Sequence, residues 1–446
     1  MPNASRKPRL PSWLPTLLVV VIVYLSVQIG SKQGVLNIYW NQVLQIAAIT
    51  AISALGLNLI YGFNGQFSLG HIGFYAIGAY SSALITKDLT ASWSGSPVGG
   101  LSWIIAGIAG VFIVMLLLKR VCLARINTRV FNYYGSDLRK GEARTIVALI
   151  DIVVVGAVLA LGAACTWLLD RALALVLGGL VGALSPAVAE KAIFMIALLA
   201  GGGLAATVAY LIGMALLRLG SDYFGIATLG FAIMVYTALQ SSDMVIPTMK
   251  GARGMVGIPC LTTWSWAFGA LCVALIVMRN LLHSSYGRAI ISVREDDVAA
   301  RMMGVDIANS KTVAFAFGGF FAGVAGGLYA HLFGFLHPST FSAVKGFDPL
   351  IVIVLGGLGS MTGTVVASAA FALIIEGLRV QLPQGFEDWR FVIYPIFLLL
   401  IMLLRKQGLL GRTEWGWLRA PLPPARDIPV PEHSVAHLAA REHEEG

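Results

Sequence analysis

The feature that most constrains this chain is a series of apolar segments, each about as long as a bilayer is thick. They lie near 13–30, 42–62, 66–86, 100–118, 146–169, 190–217, 225–240, 264–282, 312–335 and 391–404. A helix needs ~20 mostly apolar residues to cross the hydrocarbon core, and its backbone must be hydrogen-bonded within the segment. Charge is scarce over the whole chain: Asp, Glu, Lys and Arg make up 12% of the 446 residues, about half the ~25% of a soluble domain. A soluble globule could not cover its surface on that supply. The reading is an all-α polytopic membrane protein. An ordinary cytosolic enzyme, a disordered chain and a nucleic-acid binder are excluded.

Two further segments are ambiguous. Residues 172–184 are apolar but short, and 349–378 are interrupted by Gly356-Gly357-Leu358-Gly359-Ser360-Met361-Thr362-Gly363. Glycine in a helix interior costs ~1 kcal/mol relative to alanine, so this run makes a poor continuous helix. Orientation follows the bias of Lys and Arg toward cytoplasmic loops. Arg6, Lys7 and Arg9 precede the first segment, and 119–145, 279–311 and 405–426 carry most of the other basic residues. An even number of crossings separates these basic stretches only if 172–184 does not cross and 349–378 enters and leaves on one side. The expectation is about ten transmembrane helices plus one broken or re-entrant element, with both termini cytoplasmic. The domain reading is a cytoplasmic N-terminus at 1–12 and a membrane domain at 13–410. Within it lies a cytoplasmic loop at 283–311, and a disordered, Pro-rich cytoplasmic tail follows at 411–446. The first apolar run lacks a clear small-residue cleavage site and reads as an uncleaved span rather than a signal peptide.

Sites for chemistry are sparse. The four cysteines, Cys122, Cys165, Cys260 and Cys272, form no CxxC pair, so neither a disulfide framework nor a metal cluster is expected. The seven histidines are scattered, and no HExxH or GxSxG occurs. The glycine run at 356–364 lacks the lysine of a phosphate-binding loop. No catalytic residue, metal or cofactor is expected. Acids within apolar segments are few, Asp151 and Glu376 among them, which argues against coupling to an ion gradient.

Two glycine-rich interruptions stand out. The first, Gly62-Phe63-Asn64-Gly65-Gln66-Phe67-Ser68-Leu69-Gly70-His71, separates two apolar segments, and the second is the run 356–363 in the other half of the chain. Irregular backbone at membrane depth must lie inside protein or beside water. Interruptions in corresponding halves point to an internal repeat with a substrate path between them. Asn64, Gly65, Gln66, Ser68, His71, Gly356, Gly357, Gly359 and Ser360 are the candidate path residues. The competing reading is a tight cytoplasmic turn for the first run and close helix packing for the second, with His71 a packed, hydrogen-bonded histidine. Gly319, Gly323 and Gly327 form a small-residue stripe that suits close helix contact.

The charged stretch 287–304, GRAIISVREDDVAARMMG, contains no proline and reads as one short amphipathic helix. Ile291, Val298 and Met302 form its apolar stripe, and Asp297 with Arg301 forms an i,i+4 pair. Glu295, Asp296 and Asp297 offset Arg288, Arg294 and Arg301, so docking in a partner's groove is favoured over lipid binding. A solvated loop helix is the alternative.

Four blocks together resemble the branched-chain amino acid ABC transporter permeases of the LivM type. They are GLNLIYGFNGQFSLGHIGFYAIGAY at 56–80, LLRLGSDYFGIATLGFA at 216–232, the block from 287 to 330 that opens GRAIISVREDDVAARMMG, and VLGGLGSMTGT at 354–364. The ending RKQGLLGR at 405–412 also fits. The resemblance implies one half of a heterodimeric pore of the type II ABC importer class in a bacterial inner membrane. Implied partners are a LivH-like second permease, two ABC ATPase subunits, a periplasmic substrate-binding protein and an amino-acid substrate. The stretch 287–304 matches the family's coupling helix, with Arg288, Arg294, Glu295, Asp296, Asp297, Ala299, Ala300 and Gly304 as candidate coupling residues. The importer motif's glutamate is replaced by Val298. A further departure is an inserted helical hairpin at about 100–170. A urea-and-amide-type permease shares much of this motif set. An ion-coupled secondary transporter would need no docking helix, and a membrane-embedded enzyme would need a clustered site.

Overall fold

The computed structural model describes residues 13–34, 36–91, 186–216 and 221–381, with short stretches at 109–110, 168, 396, 403, 408–411, 414–415 and 417–418. Apart from isolated positions, the segments expected at 100–118, 146–169, 172–184 and 391–404, and with them the inserted hairpin, lie outside the described residues. The described helices are α1 (Trp13–Lys32), α2 (Ile38–Leu57), α3 (His71–Ala91), α4 (Pro186–Leu216), α5 (Ser221–Gln240), α6 (Trp264–His283), α7 (Ser285–Glu295), α8 (Asp297–Met302), α9 (Ile307–Phe333), α10 (Phe347–Gly356) and α11 (Met361–Gln381). Among the described residues five helical stretches are long and apolar enough to cross a membrane: Ile38–Phe63, Glu190–Leu216, Tyr223–Gln240, Trp264–His283 and Ile307–Phe333. The third apolar segment differs from its expected bounds. Its helix starts at His71 rather than near 66, because residues 64–70 are irregular.

Helix α9 is the axis of the bundle. It is capped at its start by Asp306, whose carboxylate accepts from Asn309 N–H at 3.1 Å. It ends at Gly334, which takes the left-handed conformation (φ +68°). Its small residues bring three neighbours to backbone contact. A β-carbon added at Gly319 would lie 2.5 Å from Ala209 Cβ, and one at Gly323 would lie 2.6 Å from Ala205 Cβ, both on α4. One at Gly318 would lie 2.8 Å from Gly56 O on α2. One at Gly78 on α3 would lie 2.2 Å from Gly323 Cα. In lipid such close approach replaces the hydrophobic effect as the source of helix association. Aromatic rings fill the space between the helices, with Phe74 packed on Phe231 (4.8 Å between centroids) and on Phe315 (5.3 Å).

Two elements interrupt this bundle. Helix α2 continues into a π-helical turn, Asn58–Phe63, and the chain then passes through 64–70 before α3 begins. Helix α9 is followed by the strand Phe335–Leu336, paired antiparallel with Met255–Val256, and by two short 3₁₀ turns before α10 begins. The starts of α3 and α10 meet: a β-carbon at Gly346 would touch Ile72 Cγ2 at 3.1 Å and Leu69 O at 3.6 Å. Helices α10 and α11 are joined by a turn at 357–360 and pack closely, since a β-carbon at Gly356 would lie 2.4 Å from Gly363 O. The run expected to interrupt one segment is therefore the tip of a helical hairpin. Both ends of α2 are tied to α11. Tyr39 donates its hydroxyl to Glu376 at 2.7 Å near one end, and Asn58 bonds Thr364 at the other.

Replacing Gly78 by Val forces backbone apart at the α3–α9 contact, and overpacking of this kind costs about 1–3 kcal/mol. Fluorescence-detected size exclusion after heating should show the variant lost at temperatures the wild type survives. Unchanged thermal survival would contradict the contact.

Candidate functional site

The site is built from the hydrogen-bonding groups that the interruptions release. The π-turn leaves Asn64 N–H bonded to Leu59 O at 3.2 Å, and the chain then leaves the helix. Asn58, fully buried, holds the hairpin tip against this point. Its amide donates to Ser360 O and Thr364 Oγ1, both at 2.9 Å, and its carbonyl accepts from Gly359 N–H at 3.0 Å. Gly359 itself has φ +83°, a conformation that L side chains rarely adopt. The Arg294 guanidinium, from α7, donates to Gly62 O. The same side chain packs on both runs. A β-carbon at Gly65 would lie 3.2 Å from its Cγ, and one at Gly359 would lie 2.9 Å from its Nη1. One arginine thus touches both interruptions.

A third strand of chain closes the junction. The Glu414 carboxylate accepts from Met361 N–H at 2.6 Å, from Thr362 N–H at 3.4 Å and from the Thr362 hydroxyl at 3.1 Å. It caps the free N–H groups that begin α11. Burial pushes this carboxyl above its ordinary pKa, and the Met361 and Thr362 bonds pull against the shift. Leu409 N–H donates to Leu355 O at 2.7 Å. Arg279 donates to Trp417 O at 2.8 Å and lies over the Trp417 ring at 4.7 Å. Glu414, Trp417 and the buried Leu418 therefore belong to the packed protein, although composition places them in the disordered tail.

The loop 283–311 departs from its expected form in three ways. It holds two helices rather than one. Asp296 is extended (φ −157°) and its carboxylate accepts from Val298 and Ala299 N–H at 2.8 and 3.0 Å, so it caps a new helix instead of continuing the old one. Asp297 pairs with Lys311 at 2.8 Å rather than with Arg301. The expected apolar stripe is divided: Ile291 packs inward, while Val298, Met302 and Met303 are exposed. Ala300, expected at a partner's surface, is 4% exposed and packs within this chain. Gly304 has φ +80° and ends α8. Val305 N–H bonds Ala300 O at 3.0 Å and Gly304 N–H bonds Arg301 O at 3.0 Å, the pairing of a Schellman cap. Arg288 donates to His283 O at 3.0 Å, away from the junction.

At the opposite end of α10 lies a cavity of about 250 Å³. Helices α2, α3, α9, α10 and α11 and the segment before α10 line it, with Ile46, Ile72, Phe371 and Ile375 as apolar wall and Tyr75, Tyr329 and Thr340 as polar wall. Lys345, Asp348 and Glu376 complete it. None of the path residues named from the sequence lines this cavity. Gly65, Gly359 and Ser360 lie at the Arg294 junction. Gly356 and Gly357 pack in the hairpin. His71 Nε2 is bonded to Ser53 O at 2.8 Å, as a packed histidine. Asn64, Gln66 and Ser68 are buried, with side-chain atoms that have no hydrogen-bond partner among the described residues. Sequence reasoning missed Asn58, Lys345, Asp348 and Glu414. For Lys345 and Asp348 a signal existed: with Glu376 they are the charged residues between 312 and 377.

A bundle of apolar spans around two interrupted segments is the build of a multi-pass membrane permease. A family model described as the permease component of the branched-chain amino acid transport system matches residues 39–137 and 144–404, and the chain belongs to that family. Similar proteins include the high-affinity branched-chain amino acid transport system permease protein LivM of Escherichia coli K12, 30% identical over 247 residues. That match covers 48% of this chain and 56% of the relative. The corresponding LivH protein of the same strain is 26% identical over 205 residues, covering 42% of this chain and 64% of the relative. A probable LivM of Methanocaldococcus jannaschii is 23% identical, covering 43% and 61%. The chain thus spans somewhat over half the length of these curated relatives. No solved structure gives a significant match.

Asn58→Leu removes three hydrogen bonds at once and leaves Gly359 N–H without its acceptor. Unsatisfied buried groups cost ~1–3 kcal/mol each, so the variant should unfold at clearly lower temperature, while Asn41→Leu at the start of α2 should not. Equal stability of the two would show that the junction carries no energy.

Proposed function

We propose that this chain is a transmembrane permease subunit of an ATP-driven importer for branched-chain or similar amino acids. In this reading it pairs with a LivH-like permease, receives substrate from a periplasmic binding protein and is driven by two ABC ATPase subunits. It lies in a bacterial inner membrane with both termini cytoplasmic. The observation that carries the reading is Arg294. A side chain on the proposed coupling segment is bonded to the backbone of one interrupted span and packed on the other.

The mechanism follows from the placement. Exposed Val298, Met302 and Met303 on and beside α8 offer an apolar docking surface to an ATPase. The Schellman cap at Gly304 fixes their presentation. Closure of the ATPase pair pushes α7 and α8 as one piece. Arg294 carries that motion to Gly62 and Gly359, and so to the lower ends of α2, α10 and α11. The unpartnered polar groups of Asn64, Gln66 and Ser68 suit a wet route beside the moving segment. Closely packed helices shift between discrete arrangements rather than deform smoothly.

Two variants separate docking from transmission. Met303→Asp places a charge in the docking surface and should lower ATPase co-purification at least tenfold, since 1.4 kcal/mol is a factor of ten. Arg294→Ala should retain the ATPases but reduce leucine uptake at least tenfold. Normal uptake in Arg294→Ala, or normal ATPase retention in Met303→Asp, would contradict the mechanism. Orientation is checked with a single cysteine at position 296 in intact cells. It should resist a membrane-impermeant maleimide, and rapid labelling would reverse the topology.

A further inference from the structure

Between residues 312 and 377 the chain contains three charged side chains, Lys345, Asp348 and Glu376. They come from the segment before α10, the first turn of α10 and the far half of α11, and all three line one cavity. Charge within a membrane domain is costly unless it is paired or faces water or a ligand. Lys345 and Asp348 form an ion pair, Nζ to Oδ2 3.6 Å, and the lysine side chain is half-exposed. Glu376 is held in place by the Tyr39 hydroxyl at 2.7 Å. The rest of the lining is largely aliphatic and aromatic. The volume of about 250 Å³ falls just below the ~300–1,000 Å³ of drug-sized sites.

From this geometry we propose that the cavity is a binding site for a single zwitterionic α-amino acid with an aliphatic side chain. The proposal rests on the importer reading above and specifies where its substrate pauses. Lys345 receives the carboxylate. Asp348 and Glu376 receive the ammonium. Ile46, Ile72, Phe371 and Ile375 surround the side chain. A ligand carrying both charges offers an opposite charge to the lysine and to the two carboxylates at once, whereas a neutral amide offers neither. The site thus separates an amino-acid permease from one for urea or amides. Because Asp348 and the hairpin tip stand at the two ends of α10, an occupied cavity is linked by one rigid ten-residue helix to the Arg294 junction.

The test uses the assembled importer in membranes without the binding protein, with the four native cysteines replaced by alanine. Thr50→Cys places a thiol in the cavity wall, and Ser53→Cys is a second probe of the same wall. Millimolar L-leucine should slow maleimide labelling of either probe at least fivefold. Leucinamide, which lacks the carboxylate, and isocaproate, which lacks the amine, should not. Lys345→Met should abolish the protection by leucine. Labelling unaffected by leucine at both probes, or equal protection by all three compounds, would overturn the proposal. Leucine uptake by the unmodified importer is measured in parallel. Uptake without protection sinks this site alone, while uptake of urea and none of leucine sinks the amino-acid importer reading itself.

Discussion

The structure depends on how the backbone groups freed at two interrupted spans are satisfied away from water. A helix that crosses lipid closes its own hydrogen bonds, and any break must find donors and acceptors elsewhere. Here the break after α2 and the hairpin tip after α10 satisfy one another. Asn58 supplies three hydrogen bonds, Arg294 caps Gly62 O, and Glu414 caps the start of α11. The three side chains come from a span, from a loop helix and from the end of the described chain. Only the assembled fold brings them together, so the junction is both a structural solution and a place where distant segments are coupled.

This arrangement explains why the interruptions need not line the cavity. The irregular backbone lies at one end of α10, held by Arg294 and Asn58. The charged cavity lies at the other. In the proposed importer a rigid helix of ten residues, about 15 Å long, separates the place that receives the push from the place that holds substrate. Motion then requires no flexible relay, only a tilt or shift of α10 with its partner α11.

Much of the helical architecture was legible because spans must be apolar, and apolar runs mark themselves. The glycine stripe on α9 was equally legible, since small residues at four-residue spacing have one main use in lipid. The start of α3 was set too early by the apolar segment drawn at 66–86, although the glycine-rich run 62–71 had marked an interruption at the same place. The split at Asp296 was hidden by strong helix-forming neighbours, though an aspartate followed by Asp-Val-Ala is a fair N-cap. The pairing of Asp297 with Lys311 rather than Arg301 reflects the same split, which turns α8 toward the start of α9. The junction and the cavity were illegible for a different reason. Gly62 meets Gly359, and Lys345 comes to share a cavity with Glu376, only through tertiary packing that no local pattern encodes. Family resemblance placed Arg294 in the coupling segment but not against the two breaks.

The central claim is that Arg294 transmits the motion of the coupling loop to the helices around the cavity. It is tested most directly by double electron–electron resonance between spin labels at the exposed Val298 and Val344, in the assembled importer with and without trapped nucleotide. The account predicts a shift of several ångströms on trapping, and its loss in Arg294→Ala with the ATPases still bound. An identical shift in that variant would contradict it.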